Sequence, residues 1–170
     1  MRAAVVTVSD RAFQGKRPDV SGPVLTQLLE EAGAEVVETL VVPDDPAVIA
    51  QALIRLADEV RCDLIFTTGG TGLSPRDTTP EATTQVIDKS VPGIAEAIRQ
   101  ESLKQTPLAM LSRGIVGVRG QTLILIFPGS PKAVRECFAV VASVLGHAVR
   151  LLRDENPYAE AEHVCPPSLP

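Results

Sequence analysis

This sequence predicts an α/β fold in which helices cover a mostly parallel β-sheet. The prediction depends on two observations. Short apolar runs alternate along the chain with segments whose apolar residues recur at helical spacing, a pattern typical of βαβ units. The chain of 170 residues is also 45% apolar and only 22% charged, which is enough for one sizeable core and excludes disorder for most of its length.

The first half of the chain predicts three strands and two helices. Strands are expected over residues 3–8, 35–42 and 62–67, where short apolar runs occur. Residues 9–20 form a polar loop, and Ser21 then caps a helix that ends at Gly33. Asp45 caps the next helix, which has Pro46 at its first position.

The second half continues the alternation and adds a hairpin. Thr79 is expected to cap a helix with Pro80 at its first position, and another helix follows residues 91–93. Residues 115–118 and 122–127 predict two antiparallel strands joined by a turn at Arg119 and Gly120.

The last predicted helix is the longest. Ser130 caps it, Pro131 takes its first position, and its apolar pattern ends at about Arg153. Residues 154–170 are rich in proline, glutamate and alanine and show little periodicity. We therefore expect one domain over residues 1–153 and a Pro-rich tail over residues 154–170.

The charge and cysteine content argue against several kinds of protein. A net charge of −5 argues against nucleic acid or an anionic membrane as the main partner, because both attract a basic surface. No apolar run is long enough to span a bilayer or to form the core of a signal peptide. Cys62, Cys137 and Cys165 are odd in number and far apart, which favours a reducing cytoplasm and argues against a zinc site. We expect a cytoplasmic protein that binds neither nucleic acid nor membrane.

Residues 67–81, with the sequence TTGGTGLSPRDTTPE, are the most informative stretch of the chain. Gly69, Gly70 and Gly72 let the backbone turn sharply and bring N–H groups close to an anion such as a phosphate. No Gly-Lys-Ser/Thr follows, so this is not a P-loop, and the third glycine of the dinucleotide fingerprint is missing. Asp77 lies in the same loop, where a carboxylate repels phosphates unless a cation, usually Mg²⁺, or a donating group lies between them. A tight connection without a ligand is the alternative.

Four loops are expected to meet at one edge of the sheet, because the carboxyl ends of parallel strands lie together and ligands bind there. These loops are residues 9–11, 43–45, 69–77 and 128–132. They contain acids, hydroxyls, glycines and two cations, Arg11 and Lys132. Ser130 is first of all a helix cap, and phosphate binding would be an added role. Lys132 in the first helical turn opposes the helix dipole, which suggests an anion nearby; solvent exposure alone is the alternative. The sequence therefore predicts a site for a phosphorylated ligand with a metal ion.

Further short motifs accompany the glycine loop, residues 69–77, in a defined order. They are Val8-Ser9-Asp10-Arg11, Asp19-x-Ser21-Gly22-Pro23, Val42-Pro43-Asp44, Val91-Pro92-Gly93, Ser112-Arg113 and Pro128-Gly129-Ser130-Pro131-Lys132-Ala133. Together with residues 67–81, this ordered set resembles the molybdopterin adenylyltransferases of molybdenum cofactor synthesis. The resemblance extends from about Val5 to Leu152.

The resemblance implies a fold, an assembly and a reaction. The fold would be a three-layer α/β/α sandwich that forms a homo-oligomer, either a trimer or a pair of trimers (a hexamer). The reaction would transfer AMP from ATP, with Mg²⁺, to the terminal phosphate of molybdopterin and release pyrophosphate. Two family aspartates match Asp44 and Asp77, the expected catalytic residues. The residues expected to bind substrate are Ser9, Asp10, Arg11, Ser21, Gly22, Thr68, Gly69, Gly70, Thr71, Gly72, Ser74, Pro75, Glu81, Gly129, Ser130 and Lys132.

Several alternatives stay open at this point. Asp44 and Asp77 would either hold Mg²⁺, directly or through water, or accept hydrogen bonds from the pterin ring; purely structural roles in a helix cap and a turn are the other interpretation. The protein could also be a catalytically silent member that holds molybdopterin, or a nucleotide hydrolase related to the competence-damage proteins. The two aspartates favour the transferase over the silent member, and the lack of an added amidohydrolase-like domain counts against the hydrolase.

Overall fold

The structure, a computed structural model, describes residues 1–155. Its strands are β1 (Arg2–Val8), β2 (Glu35–Val42), β3 (Leu64–Thr68), β4 (Lys89–Ser90), β5 (Val116–Arg119) and β6 (Thr122–Phe127). Its helices are α1 (Asp10–Phe13), α2 (Ser21–Glu31), α3 (Pro46–Asp58), α4 (Thr79–Thr84), α5 (Pro92–Leu103) and α6 (Pro131–Leu152), with a 3₁₀ helix over Pro107–Leu111.

The strands form one six-stranded sheet in the order β2-β1-β3-β6-β5-β4. The first four strands in that order are parallel to one another. β5 pairs with β6 in an antiparallel hairpin, and β4 adds a second antiparallel pair at the edge. This topology confirms the predicted mostly parallel sheet with a short hairpin.

Helices cover both faces of the sheet, which confirms the three-layer sandwich. Side chains alternate between the faces along each strand. In β1, Ala3 and Val5 pack in a core with α2, α5 and α6, whereas Ala4 and Val6 pack in a core with α3 and α4. Because both faces are buried, the central strands are continuous apolar runs in the sequence.

The register of the parallel strands places their carboxyl ends at one edge of the sheet. The residues paired nearest this edge are Val8 with Val42, Thr7 with Thr68, and Thr68 with Phe127. The loops that follow β1, β2, β3 and β6 therefore start side by side, at the edge where the sequence predicts a ligand site.

Two helix starts agree with the sequence predictions. The Asp45 carboxylate accepts the N–H groups of Ala47 and Val48 at 2.9 and 3.1 Å and so caps α3. The Ser130 hydroxyl accepts the N–H of Ala133 at 3.3 Å and caps α6. Both helices begin with the expected proline, whose missing N–H costs nothing at that position.

The prediction of a polar loop over residues 9–20 was wrong in part, because α1 lies within it and is capped by Ser9. The predicted cap role of Ser21 was also wrong. Ser21 is the first residue of α2, and the Asp19 carboxylate accepts the N–H of Gly22 at 3.0 Å. A carboxylate is the stronger acceptor, so Asp19 takes the capping role that the sequence assigned to the hydroxyl.

The start of α4 differs from its prediction by one residue. Thr79 is the first residue of the helix and Pro80 the second, so Thr79 is not the N-cap. The Thr79 side chain is fully buried, and its hydroxyl donates to the carbonyl of Gly69 at 3.1 Å. Because the Thr79 hydroxyl bonds this carbonyl of the glycine loop, it does not cap the N–H groups of α4.

Smaller differences concern short elements. β4 and the 3₁₀ helix were not predicted, since segments of two and five residues are too short to show a period. β3 begins at Leu64, two residues later than predicted.

The chain end beyond α6 falls mostly outside the described residues. Of the predicted tail over residues 154–170, the structure describes only Asp154 and Glu155. Neither α6 nor any other helix within residues 1–155 combines the length and the hydropathy that a membrane crossing requires.

A buried carboxylate joins three elements at the sheet edge opposite the predicted site. Asp63, which is 8% exposed, precedes β3 and accepts the backbone N–H of Arg2 in β1 at 2.7 Å. It also accepts the guanidinium of Arg153, which follows α6, through bonds of 2.7 to 3.1 Å. These charge-assisted bonds tie the last helix to the start of the two central strands.

We expect Asp63→Asn to lower the free energy of unfolding by about 1 to 3 kcal/mol, because hydrogen bonds to a charged acceptor become bonds to a neutral one. Urea denaturation followed by circular dichroism would measure the change. Arg153→Ala should cost at least as much, since it leaves the buried carboxylate without its main partner. Denaturation midpoints equal to that of the wild type in both variants would contradict a stabilising role for the hydrogen bonds of Asp63.

Candidate functional site

The loops after β1, β2, β3 and β6 are joined by hydrogen bonds at the carboxyl edge. The N–H of Ser9 donates to the carbonyl of Val42 at 2.9 Å, which joins the first two loops. The N–H of Gly69 donates to the carbonyl of Phe127 at 3.1 Å, and the hydroxyl of Thr68 donates to the carbonyl of Pro128 at 2.8 Å. The four sequence segments predicted to meet therefore form one continuous surface.

The glycine loop, residues 69–77, starts with two backbone conformations that favour glycine. Gly69 has a φ of 105° and Gly70 a φ of 64°. A Cβ atom on Gly69 would lie 2.3 Å from the carbonyl oxygen of Val8, and one on Gly70 would lie 2.2 Å from the hydroxyl of Thr79. Both conformation and packing therefore exclude a side chain at these positions.

Asp10 and Asp44 hold each other through reciprocal hydrogen bonds. The N–H of Asp10 donates to Oδ2 of Asp44 at 2.8 Å, and the N–H of Asp44 donates to Oδ1 of Asp10 at 3.0 Å. Oδ2 of Asp10 also accepts Nη2 and Nε of Arg76, from the glycine loop, at 2.6 and 3.0 Å. Because protein donors occupy the Asp10 carboxylate, it positions Asp44 and Arg76 within this site.

The two carboxyl groups have opposite pKa shifts. The hydrogen bond from Arg76 and then the N–H of Asp44 lower the pKa of Asp10. Burial raises the pKa of Asp44, and the negative charges of Asp10 and Asp77 raise it further. The hydrogen bond from the N–H of Asp10 and the positive charge of Arg76 lower it, but by less. Asp44 is therefore a half-buried carboxylate whose ionised form would gain from a nearby cation.

Asp77 lies at the end of the glycine loop and closes a turn. Its N–H donates to the carbonyl of Ser74 at 2.9 Å, and its Oδ2 accepts the N–H of Ser74 at the same distance. The turn role that the sequence left open is therefore real. The negative charge of Asp77 also contributes to the raised pKa of Asp44, after the burial of Asp44 and the charge of Asp10.

A cleft of about 200 Å³ lies beside the glycine loop, on the side of α2 and α6. Its lining includes Ser9, Arg17, Asp19, Ser21, Thr68, Gly69, Gly129 and Pro131. The hydroxyl of Thr7 and the N–H of Gly22 donate to Asp19 at 2.7 and 3.0 Å, so its charge is partly compensated. Arg17, which the sequence analysis did not assign to the site, brings a positive charge to the cleft.

Other predicted residues lie at the rim or have protein partners. Arg11 is exposed on α1. The Lys132 side chain is 79% exposed, and its ammonium group lies 3.7 Å from the Glu136 carboxylate one turn along α6. That i,i+4 pair gives the lysine a protein partner in the first turn of α6. Thr71 and Gly72 line a different groove, of about 270 Å³, which faces α5 and the 3₁₀ helix.

Arg113 is the main site residue that the sequence analysis did not select. Its backbone N–H donates to the carbonyl of Thr71 at 2.9 Å, and its Nε donates to that of Gly72 at 2.8 Å. Its terminal nitrogens bond the carbonyl of Asp77 and the carboxylate of Glu81. Ser112-Arg113 is among the motifs of the family resemblance. The sequence does not show that Arg113 contacts the glycine loop, because the two are more than thirty residues apart.

The carboxylates of the site fit a magnesium ion that arrives with a nucleotide. Within residues 1–155, no group of three or more histidine, cysteine, aspartate or glutamate side chains is arranged to hold a metal by itself. Mg²⁺ is usually held by one or two carboxylates together with substrate phosphates and water. Asp44 and Asp77 supply two such carboxylates beside a loop suited to phosphate.

The sequence and the fold match proteins of molybdenum cofactor synthesis. Residues 4–147 match a family described as the probable molybdopterin binding domain. A molybdopterin adenylyltransferase of Helicobacter pylori is 42% identical over 150 residues, which cover 87% of this chain and 85% of that protein. The crystal structure of the molybdopterin biosynthesis enzyme MoaB from Thermus thermophilus superposes with a TM-score of 0.86 at 47% identity, covering 91% of this chain and 97% of that one.

A longer relative contains the same region. The molybdenum cofactor synthesis protein cinnamon of Drosophila melanogaster is 44% identical over 175 residues. The match covers 95% of this chain but only 29% of the fly protein.

We expect Gly69→Ala to destabilise the protein by about 2 kcal/mol or more, because alanine is strained at this positive φ and its methyl group would clash with the Val8 carbonyl. Gly93→Ala is the matched control, since a Cβ there meets nothing within 4 Å. Chemical denaturation of both variants would measure the difference. Equal midpoints for the two would contradict the packing described for Gly69.

Proposed function

This chain belongs to the molybdopterin-binding domain family, and we propose that it is a molybdopterin adenylyltransferase that transfers AMP from ATP to molybdopterin. The observation that carries the proposal is the position of Asp44 and Asp77 around a glycine loop suited to phosphate. Family relatives with the same activity in their names support it.

The chemistry requires little more than positioning. The terminal phosphate of molybdopterin is already a nucleophile, so no strong general base is needed for in-line attack on the α-phosphorus of ATP. The protein must instead bring two polyanions together and stabilise the charge that moves to the leaving pyrophosphate. Backbone N–H groups of the glycine loop, Arg17 and the N-terminus of α6 are suited to hold the phosphates.

Asp44 and Asp77 are proposed to hold the Mg²⁺ that accompanies ATP, directly or through water. Bound there, the ion would neutralise phosphate charge and stabilise the ionised form of Asp44, whose pKa is raised by burial and by the charges of Asp10 and Asp77. The same two carboxylates could accept hydrogen bonds from the pterin ring. The N–H of Asp10 orients Asp44 in either role, and Arg76 holds Asp10 in place.

Incubation with ATP, Mg²⁺ and molybdopterin, followed by measurement of pyrophosphate, tests the proposal. We expect pyrophosphate only when molybdopterin is present. Molybdopterin binding without pyrophosphate would identify a silent binding protein, and pyrophosphate or phosphate release without molybdopterin would identify a nucleotide hydrolase.

We expect Asp77→Asn and Asp44→Asn to lower AMP transfer on the order of a hundredfold each, because each removes a charge that positions or stabilises the reacting groups. If the two carboxylates act as one unit, the double variant should lose much less than the product of the single losses. Steady-state pyrophosphate assays would measure all three. Asp45→Asn is the matched control, since asparagine caps α3 as well as aspartate does.

The stability of Asp44→Asn supplies a separate measurement. A carboxyl group with a raised folded-state pKa contributes stability below its ordinary pKa and loses it as pH rises through the folded-state value. Near neutral pH the variant should therefore melt no lower than the wild type, and the difference should vanish in acid. A variant that unfolds far more easily near neutral pH would contradict the pKa shift of Asp44.

We further propose that the protein is a cytoplasmic homo-oligomer, a trimer or a hexamer. Four large apolar side chains lie exposed close together in sequence: Leu103, Leu108, Met110 and Leu111. An exposed apolar cluster of this kind commonly marks a protein interface. Light scattering at micromolar concentration should report a mass above that of one chain, and a stable monomer would contradict the proposal.

A further inference from the structure

We propose that Arg113 is a positioning residue that holds the glycine loop closed and sets the orientation of Asp77. Arg113 lies between the 3₁₀ helix and β5, more than thirty residues beyond the loop in sequence. The inference deepens the proposed AMP transfer and rests on it, because it names a residue that organises the same site.

The contacts of Arg113 span the whole loop. Its backbone N–H and its Nε bond the carbonyls of Thr71 and Gly72 at 2.9 and 2.8 Å, near the loop's start. Its terminal nitrogens bond the carbonyl of Asp77, at the loop's end, and the carboxylate of Glu81 in the first turn of α4. The side chain therefore connects Gly72 and the loop's last residue, Asp77, to the following helix.

An arginine suits this task better than any other residue. Its planar guanidinium presents five N–H donors in fixed directions, so one group can reach acceptors on Gly72, Asp77 and Glu81 at once. The hydrogen bond from Arg113 is also the main cause of the lowered pKa of Glu81, which keeps that partner ionised.

Besides Arg113, the middle of the loop is restrained by polar contacts, those of Arg76 with Asp10 and of Ser74 with Asp77. Leu73 is 66% exposed, and Ser74, Pro75 and Arg76 are exposed as well. Apolar packing therefore contributes little, and hydrogen bonds must hold the loop. Asp77 is held on two sides, with its carbonyl bonded to Arg113 and its Oδ2 to the N–H of Ser74.

The role is indirect. Nε and both terminal nitrogens of Arg113 are engaged by protein acceptors, which leaves the guanidinium committed to the loop. Its effect on the reaction would therefore pass through Asp77 and the phosphate-facing backbone of the loop. A displacement of about 1 Å at such a group can lower a rate about a hundredfold.

Three variants test the inference: Arg113→Ala, Arg113→Lys and the control Arg119→Ala. Arg119 has a comparable set of bonds, to the Asp58 carboxylate at 2.6 and 3.0 Å and to the carbonyl of Val86 at 2.8 Å. These partners lie away from the glycine loop. The measurements are kcat and KM for ATP and molybdopterin, melting temperature, and amide hydrogen exchange of residues 69–78.

We expect Arg113→Ala to lower kcat about a hundredfold and to speed amide exchange in residues 69–78. Arg113→Lys should stay folded and recover only part of the rate, because an ammonium group cannot reach all three acceptors. Added guanidinium ion should raise the rate of Arg113→Ala and leave that of Arg113→Lys unchanged. Arg119→Ala should lower the melting temperature without changing kcat or loop exchange.

Unchanged loop exchange in both Arg113 variants would overturn the inference. So would equal losses of kcat in Arg113→Ala and Arg119→Ala, since the effect would then be one of general stability. If the wild type transfers no AMP, the proposed function fails, and the exchange measurement alone decides the role of Arg113: faster exchange confined to the loop supports it.

Discussion

The site depends on the close approach of three backbone segments at Gly69. The carbonyl of Val8 occupies the space in which a side chain on Gly69 would stand, and a Cβ on Gly129 would lie 3.3 Å from the Gly69 Cα. This contact is possible only because β1, β3 and β6 are adjacent and parallel, so that their carboxyl ends coincide. Every other feature of the site, including the cleft and the acidic cluster, is arranged around this point.

Electrostatics divides the surface around Gly69 into two parts. On the side of α2 and α6, hydroxyl groups, backbone and Arg17 line a cleft in which the charge of Asp19 is compensated. On the other side, burial raises the pKa of Asp44, and the negative charges of Asp10 and Asp77 raise it further. A folded protein keeps such an arrangement at some expense in stability, which is typical of a functional site.

Local sequence rules predict an element correctly where no distant residue competes with them. β2 and the hairpin of β5 and β6 follow from apolar patterning, and α3 and α6 from a capping side chain followed by proline. The same rules fail where a distant residue offers a competing hydrogen bond. Thr79 has the residue type and position of a helix cap, but its hydroxyl bonds the Gly69 carbonyl instead. Likewise, Asp19 and not Ser21 accepts the N–H of Gly22 at the start of α2, and the Ser21 hydroxyl itself donates to Asp19.

The sequence by itself determined the fold class, the glycine loop and the family to which the chain belongs, because each of these is encoded in residues that are close together or in a fixed order. Tertiary structure alone decided which charges face one another. The bond between Asp10 and Arg76 joins residues 66 positions apart, and Arg113 reaches the Asp77 carbonyl across 36 positions. Such pairs depend on how strands and helices are placed in space, and no short-range pattern of residue types carries that information.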